Sequence, residues 1–157
     1  MIQRKQTIYL FFAGLITLTL LFIPFGAFQM EGTNCFEYNA FAIKNYSEGI
    51  AILHPIGNAI LLIVTSVLSF LTIFFYKNRK LQLKLISINM FAILLAIFSM
   101  VYLYPNIIYS KNVNLANTKI EYNYVIIIIF VAAVGLYLAK KAIMKDEAMI
   151  KSADRLR

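Results

Sequence analysis

Hydrophobic residues along this chain gather into four long runs that contain no charged residue. The runs lie between Lys5 and Glu31, Glu48 and Lys77, Lys84 and Lys111, and Glu121 and Lys140. The shortest, residues 122–139, would span about 27 Å as a helix at ~1.5 Å per residue, close to the ~30 Å hydrocarbon thickness of a bilayer. The pattern therefore predicts four transmembrane helices, near residues 7–28, 52–76, 85–104 and 122–141.

Proline positions set the expected helix ends. Pro24 lies about one turn from the end of the first helix, Pro55 falls in the first turn of the second, and the third is expected to stop before Pro105. Pro55 in a first turn breaks no hydrogen bond, because the N–H groups there have no helical partner, and a kink at Pro24 costs least near the membrane boundary. The last helix has neither Gly nor Pro after Gly135, so residues 142–157 are expected to continue it as a helical tail.

Two connecting segments, 29–51 and 105–121, are long for simple loops. The first spaces apolar residues in a way that indicates short half-buried strands, at Phe36, Tyr38, Phe41 and Ile43. The second contains Val113 and Leu115 in an Asn-rich setting. A small extracytoplasmic β-sheet that pairs the two loops and an irregular cap are equally compatible with this pattern.

Composition supports lipid as the solvent. Hydrophobic residues make up 61% of the 157 residues and charged residues only 14%, whereas soluble domains carry roughly a quarter charged residues. Mean hydropathy is +0.76. We therefore expect one all-α membrane domain over residues 1–157, folded as an up-and-down bundle of four transmembrane helices.

Basic residues indicate the orientation. Most of the 15 Lys and Arg residues lie in the first segment (Arg4, Lys5), in the loop between helices two and three (Lys77, Arg79, Lys80, Lys84) or after residue 139. Because basic loops stay in the cytoplasm, both termini are expected to be cytoplasmic. The net charge of +8 is then a topology signal that suits anionic lipid, and no nucleic-acid partner is expected.

Small and amide side chains within the spans predict helix packing. Gly135 and Ala139 form a small-xxx-small pair that lets two helices approach closely. Asn58 and Asn89 are costly in lipid and are expected to hydrogen-bond across helices.

Candidate chemistry is sparse. The interiors of the four predicted spans contain no ionisable residue, which argues against a proton-coupled carrier. His54 is the only histidine and Cys35 the only cysteine, too few ligands for a zinc site. We therefore expect no catalytic residue, no metal and no cofactor, and a protein that is not an enzyme.

The terminal run "KDEAMIKSADRLR" combines charges of both signs with a narrow apolar stripe. One interpretation is a solvated helix end whose basic residues fix the topology. The other is a docking helix on a basic cytoplasmic face, which packs against the inner loop 77–84 or against a partner. The residues of that face are Arg4, Lys5, Lys77, Arg79, Lys80, Lys84, Asp146, Glu147, Asp154, Arg155 and Arg157.

Three segments, "MIQRKQTIYL", "FFYKNRKLQLKL" and "KDEAMIKSADRLR", resemble an uncharacterised family of small inner-membrane proteins with four transmembrane helices. The family belongs to Bacteroidota-type bacteria and is known only as a domain of unknown function. The resemblance spans the full length. It implies a four-span inner-membrane protein and supplies no activity, substrate or functional residue.

Three functions compete. The first is a non-enzymatic accessory or structural subunit whose cytoplasmic face binds another membrane protein. The second is a bundle that binds or transports a small molecule, a lipid or a quinone, with Asn58 and Asn89 as polar anchors. The third is an enzyme at the outer interface that uses His54, Glu48 or Tyr46.

Overall fold

A computed structural model of the protein describes residues 3–30, 33–45, 51–76, 78–111 and 119–155. In chain order its elements are α1 (Gln3–Thr19), β1 (Gly26–Met30), β2 (Thr33–Tyr38), β3 (Ile43–Asn45), β4 (Ala51–Leu53), α2 (Ile56–Phe74), α3 (Arg79–Phe98), a π-helical turn (Ser99–Leu103), α4 (Tyr104–Lys111), β5 (Lys119–Tyr122) and α5 (Val125–Arg155).

Three of the helical segments are long and apolar enough to cross a membrane. They are Ile56–Phe74, Arg79–Ile107 and Val125–Ile150, while the apolar part of α1, Gln6–Thr19, is shorter. The outward faces of these helices carry large apolar side chains; for example, Phe91 is 65% and Ile127 63% exposed. Asn89, by contrast, is fully buried. Such an arrangement is compatible with a membrane protein, because it suits lipid better than water.

The first helix ends earlier than the apolar run predicts. α1 stops at Thr19, and the chain then turns into β1 instead of continuing to residue 28. Pro24 cannot donate a helical hydrogen bond, and the next residue joins the sheet: Phe25 N–H donates to Tyr38 O at 2.7 Å, and Phe25 O accepts from Asn123 N–H. Leu20, Leu21, Phe25 and Phe28 of this stretch are buried in the protein, whereas Phe22 and Ile23 are exposed.

The five strands form one antiparallel sheet in the order β4-β3-β2-β1-β5. β2 and β3 lie within the first long loop, β1 and β4 extend from it into residues predicted as the first and second helices, and β5 comes mostly from the second loop. A small sheet that joins the two connecting regions is therefore present, instead of an irregular cap. Gly26 is required at the β1–β5 contact, because a Cβ there would collide with the backbone oxygen of Glu121. Phe28, Tyr38 and Ile43 extend the core from the helices into the sheet.

The second helix starts at Ile56, later than the predicted residue 52, because residues 51–53 belong to β4 and Pro55 precedes the helix. The third does not stop at Pro105. It continues from α3 through the π-helical turn into α4. In a continuous α-helix the carbonyl of Val101 would accept from residue 105, and proline has no N–H. The Tyr122 hydroxyl donates to Val101 O at 3.0 Å instead, so β5 supplies the missing bond.

The helices pack in a ring in which α1 and α3 each contact both α2 and α5. Partner positions along α2 and α3 run in opposite directions, since Gln82 bonds to Thr72, Asn89 to Ser69 and Ser99 to Asn58. These two helices are therefore antiparallel.

α5 is one unbroken helix of 31 residues, about 46 Å long at ~1.5 Å per residue. Its first part completes the ring, and its charged last turns belong to the same helix. The end of the ring beside the sheet is called here the sheet end. The opposite end, formed by the first turns of α1, the α2–α3 turn and residues 140–155 of α5, is called the terminal end.

Candidate functional site

Polar side chains are buried at three levels of the ring, and the level at the sheet end joins three elements. Tyr38 of β2 is fully buried, and its hydroxyl accepts a hydrogen bond from Asn58 Nδ2 at 2.6 Å. The Ser99 hydroxyl donates to Asn58 Oδ1. We call Tyr38, Asn58 and Ser99 the sheet-end network, which links the sheet to α2 and to the π-helical turn.

Packing around the sheet-end network is close. The Tyr38 ring meets Phe25 edge-to-face, with ring centroids 5.2 Å apart. Burial raises the pKa of the Tyr38 hydroxyl well above its usual value, an effect that the hydrogen bond from Asn58 partly offsets. Tyr38 is therefore neutral at physiological pH. Nearby, the Tyr104 hydroxyl lies so close to Gly57 that a Cβ there would stand 2.7 Å from it.

The middle level joins α1, α2 and α3. Asn89 Nδ2 donates to Ser69 Oγ at 2.8 Å, and the Ser66 hydroxyl donates to the backbone oxygen of Gly14 at 3.0 Å. A Cβ on Gly14 would stand only 3.1 Å from Cβ of Ser69, so α1 and α2 approach closely here. Asn89 Oδ1 is buried without a hydrogen-bond partner.

The residues proposed for helix packing lie on two seams. Asn58 and Asn89 lie between α2 and α3 and bond across them. Gly135 faces Tyr9 and Ala13 of α1 at ordinary van der Waals distance, and Ala139, one turn later, is fully buried.

The terminal end contains a second buried polar group, which we call the terminal cluster: Gln6 of α1, Arg79 and Gln82 of α3, and Asp146 of α5. Gln6 Nε2 donates to Asp146 Oδ2, and Gln82 Nε2 donates to Thr72 O at 3.1 Å. These four side chains border a cavity of about 20 Å³, enough for one water molecule. Asp146 Oδ1 and Arg79 Nη1 are buried, and neither has a hydrogen-bond partner among the residues that the structure describes.

Asp146 is predicted from the sequence to belong to the docking face, but its side chain is buried. It is only 7% exposed, because α5 turns its carboxylate toward Gln6. No local sequence pattern indicates this contact, because Gln6 and Asp146 are 140 residues apart.

The other expected docking residues have different surroundings. Lys80 and Lys84 are exposed, while Arg79 and Glu147 are half-buried. Arg4, Lys5, Asp154 and Arg155 belong to α1 or α5, and their side chains are outside the described part of the protein; Lys77 and Arg157 lie outside the described residues altogether.

The residues considered for surface catalysis do not form a described site. His54 is exposed, with Nδ1 3.3 Å from Phe41 O, and Tyr46 and Glu48 lie outside the described residues. Cys35 belongs to β2, and its side chain is not among those described. Within the described ranges, no three His, Cys, Asp or Glu side chains are grouped so that they could hold a metal ion.

The buried polar side chains are thus mainly bonded to neighbouring elements, and the terminal cluster is where charged groups of both signs remain incompletely paired. No curated protein and no solved structure matches the chain. A family model described as "Domain of unknown function (DUF4293)" matches residues 2–156, which agrees with the resemblance noted from the sequence. The chain therefore belongs to the DUF4293 family.

Proposed function

We propose that this chain is an integral protein of the bacterial inner membrane, with four transmembrane helices and both termini in the cytoplasm, and that it is a non-enzymatic accessory subunit of a larger membrane complex. The apolar outward faces of the helices suit lipid. The basic residues concentrate at the terminal end, which the positive-inside rule assigns to the cytoplasm.

The observation that carries the proposal is the projecting part of α5. Beyond Lys140 the helix continues to Arg155, and among its charged residues Met144 is 53% and Ile150 44% exposed. Exposure of apolar side chains to water beyond the last apolar run costs about 25 cal/mol of free energy per Å². A partner protein that covers them recovers this free energy and meets the charges beside them.

The buried polar residues favour this function over a ligand-binding bundle. Asn58 and Asn89, the anchors that such a bundle would use, are both buried and bonded to neighbouring helices. Their described contacts are those of packing residues.

Affinity purification at native expression in a mild detergent tests the proposal. We expect a defined membrane protein to copurify with the full chain and to be lost from Met144→Ser/Ile150→Ser. A matched control, Phe74→Ser/Phe75→Ser, removes exposed apolar side chains from the end of α2 and should retain the partner. Recovery of the wild-type chain alone, or equal loss from both pairs, would contradict the proposal.

The orientation has its own test with a membrane-impermeant maleimide. Cys35→Ala removes the only cysteine, and a cysteine is then placed at Lys44 on the sheet or at Ser152 on α5, both of which are exposed. We expect the Lys44→Cys variant to react in intact spheroplasts and the Ser152→Cys variant to react only after permeabilisation. The reverse labelling would overturn the assigned orientation.

A further inference from the structure

A groove runs along the seam between α1 and α5 at the terminal end. Its volume is about 490 Å³, and its wall includes Tyr9, Leu138 and Ala142 together with Lys141 and Lys145. Because residues three and four apart share one helix face, α5 presents an apolar strip with two ammonium groups beside it.

The two lysines are placed to share one anion. Positions 141 and 145 are one turn apart, so their Cβ atoms are roughly 6 Å from each other. Both side chains are exposed, and neither has an ion pair or hydrogen bond with a residue that the structure describes. Asp146 also borders the groove, but Gln6 donates a hydrogen bond to its carboxylate.

The groove lies at the height where lipid phosphates are expected. Lys140 and Lys141 follow directly on the charge-free run of α5, and basic side chains at the end of a transmembrane helix reach the headgroup layer. Leu138 lies one turn toward the apolar run, and Tyr9 of α1 faces the same groove. From Leu138 to Lys145 the lining therefore changes from apolar to basic, in the same order as along a phospholipid, and Asp146 and Met149 lie beyond the lysines.

We propose that this groove binds one anionic phospholipid, phosphatidylglycerol, with its phosphate between Lys141 and Lys145 and an acyl chain against Leu138 and Tyr9. The excess of positive charge favours this lipid over a zwitterionic one, whose own cationic group the lysines would repel. The site goes beyond partner docking and needs no partner, although it rests on the membrane setting proposed above.

Native mass spectrometry of the full chain in a neutral detergent tests the site, with phosphatidylglycerol and phosphatidylcholine of identical acyl chains as probes. We expect one phosphatidylglycerol to bind at least tenfold more tightly than phosphatidylcholine. A basic residue near anionic lipid contributes about fivefold in affinity. Lys141→Gln/Lys145→Gln should therefore lose about 25-fold and approach the affinity for phosphatidylcholine.

A matched control separates this site from diffuse attraction. Lys80 and Lys84 of α3 are also exposed, also four residues apart and also at the terminal end. Lys80→Gln/Lys84→Gln removes the same charge and should leave phosphatidylglycerol binding unchanged. An equal loss from both pairs, or equal affinity of the wild-type protein for the two lipids, would overturn the proposal.

A change of shape without a change of charge completes the test. Ala142→Phe places a ring in the groove and should weaken phosphatidylglycerol binding about tenfold, whereas Met144→Phe, at an exposed position of α5 that does not line the groove, should not. Unaltered binding by Ala142→Phe would overturn the groove as the place where the lipid binds. Because these measurements use the isolated protein, failure to capture a protein partner would not affect them.

Discussion

The sheet-end network and the terminal cluster are both buried polar groups that join three elements, yet they differ in how far their polar atoms are bonded. At the sheet end, Asn58 uses its amide nitrogen on Tyr38 and its oxygen on Ser99. At the terminal end, Asp146 Oδ1 and Arg79 Nη1 have no hydrogen-bond partner within the described part of the chain. A completed network stabilises and fixes one arrangement, whereas buried unpaired atoms cost free energy and are found at sites kept for another purpose.

The largest expected effect is the loss of the sheet-end network. Asn58→Ala leaves the buried Tyr38 hydroxyl without this partner, at about 1–3 kcal/mol for an unpaired group, while the Ser99 hydroxyl keeps its bond to Ala96 O. We therefore expect a loss of about 2 kcal/mol of stability. The chain has no tryptophan, so far-UV circular dichroism during SDS unfolding in mixed micelles is the suitable measurement.

Asn89→Ala is the matched control for that change. It removes a single interhelical bond, to Ser69, together with an already unpaired oxygen, and bonds of this kind contribute about 0.6 kcal/mol on average in membranes. Equal losses of stability from Asn58→Ala and Asn89→Ala would show that the sheet-end network contributes no more than one interhelical bond.

Alkaline pH should weaken the sheet end through Tyr38. Burial raises the pKa of Tyr38 in the folded protein, so its contribution to stability is complete below the unfolded pKa of about 10 and falls as pH rises above that value, by up to about 1.4 kcal/mol per pH unit. We expect Tyr38→Phe to be less stable at pH 8 but to decline less steeply between pH 10 and 11. Parallel declines would show that Tyr38 ionises freely in the fold.

The terminal cluster should tolerate more change. Asp146→Leu leaves the Gln6 amide without its acceptor and should cost about 1 kcal/mol. Asp146→Asn keeps an acceptor and removes a buried charge, and we expect it to remain within ~0.5 kcal/mol of wild type. Thermal unfolding followed by circular dichroism distinguishes the two. A loss of stability from Asp146→Asn as large as that from Asn58→Ala would show that the terminal cluster stabilises the fold as much as the sheet-end network does.

A small and local effect is expected near Pro105. Tyr122→Phe removes the hydroxyl that bonds to Val101 O, and we expect a loss of about 0.5–1 kcal/mol with the helix still continuous. Hydrogen exchange of residues 99–107 should increase in this variant, while that of the terminal end stays unchanged. An unchanged exchange rate near Pro105 would mean that the π-helical turn is stable without help from β5.

The sequence predicts α2, α3 and α5 well, because uninterrupted apolar runs of sufficient length have few other stable conformations. It does not predict the end of α1, because an apolar stretch such as residues 20–28 has the same composition whether it faces lipid or lies beneath a sheet. Pro105 also gave a wrong helix end. Its missing hydrogen bond is supplied by Tyr122, a residue that no local pattern connects with it.

Some of the buried polar residues can likewise be predicted from the sequence, and others cannot. Asn58 and Asn89 can be identified from the sequence, because an amide within an apolar helix needs a partner. Tyr38 and Gln6 cannot, because their partners lie 20 and 140 residues away and only the fold brings them together. A glutamine just before a predicted membrane helix is otherwise an ordinary interfacial residue.

The continuity of α5 has a mechanical consequence. Only two residues separate the end of the edge strand β5 at Tyr122 from the start of α5 at Val125. Tyr122 in turn bonds to the π-helical turn at Val101 O. α5 is thus one continuous helix that is held by α1 and α3 and connects the two ends of the ring. A force that tilts its charged end would therefore displace β5 at the sheet end, and with β5 the π-helical turn that Tyr122 contacts.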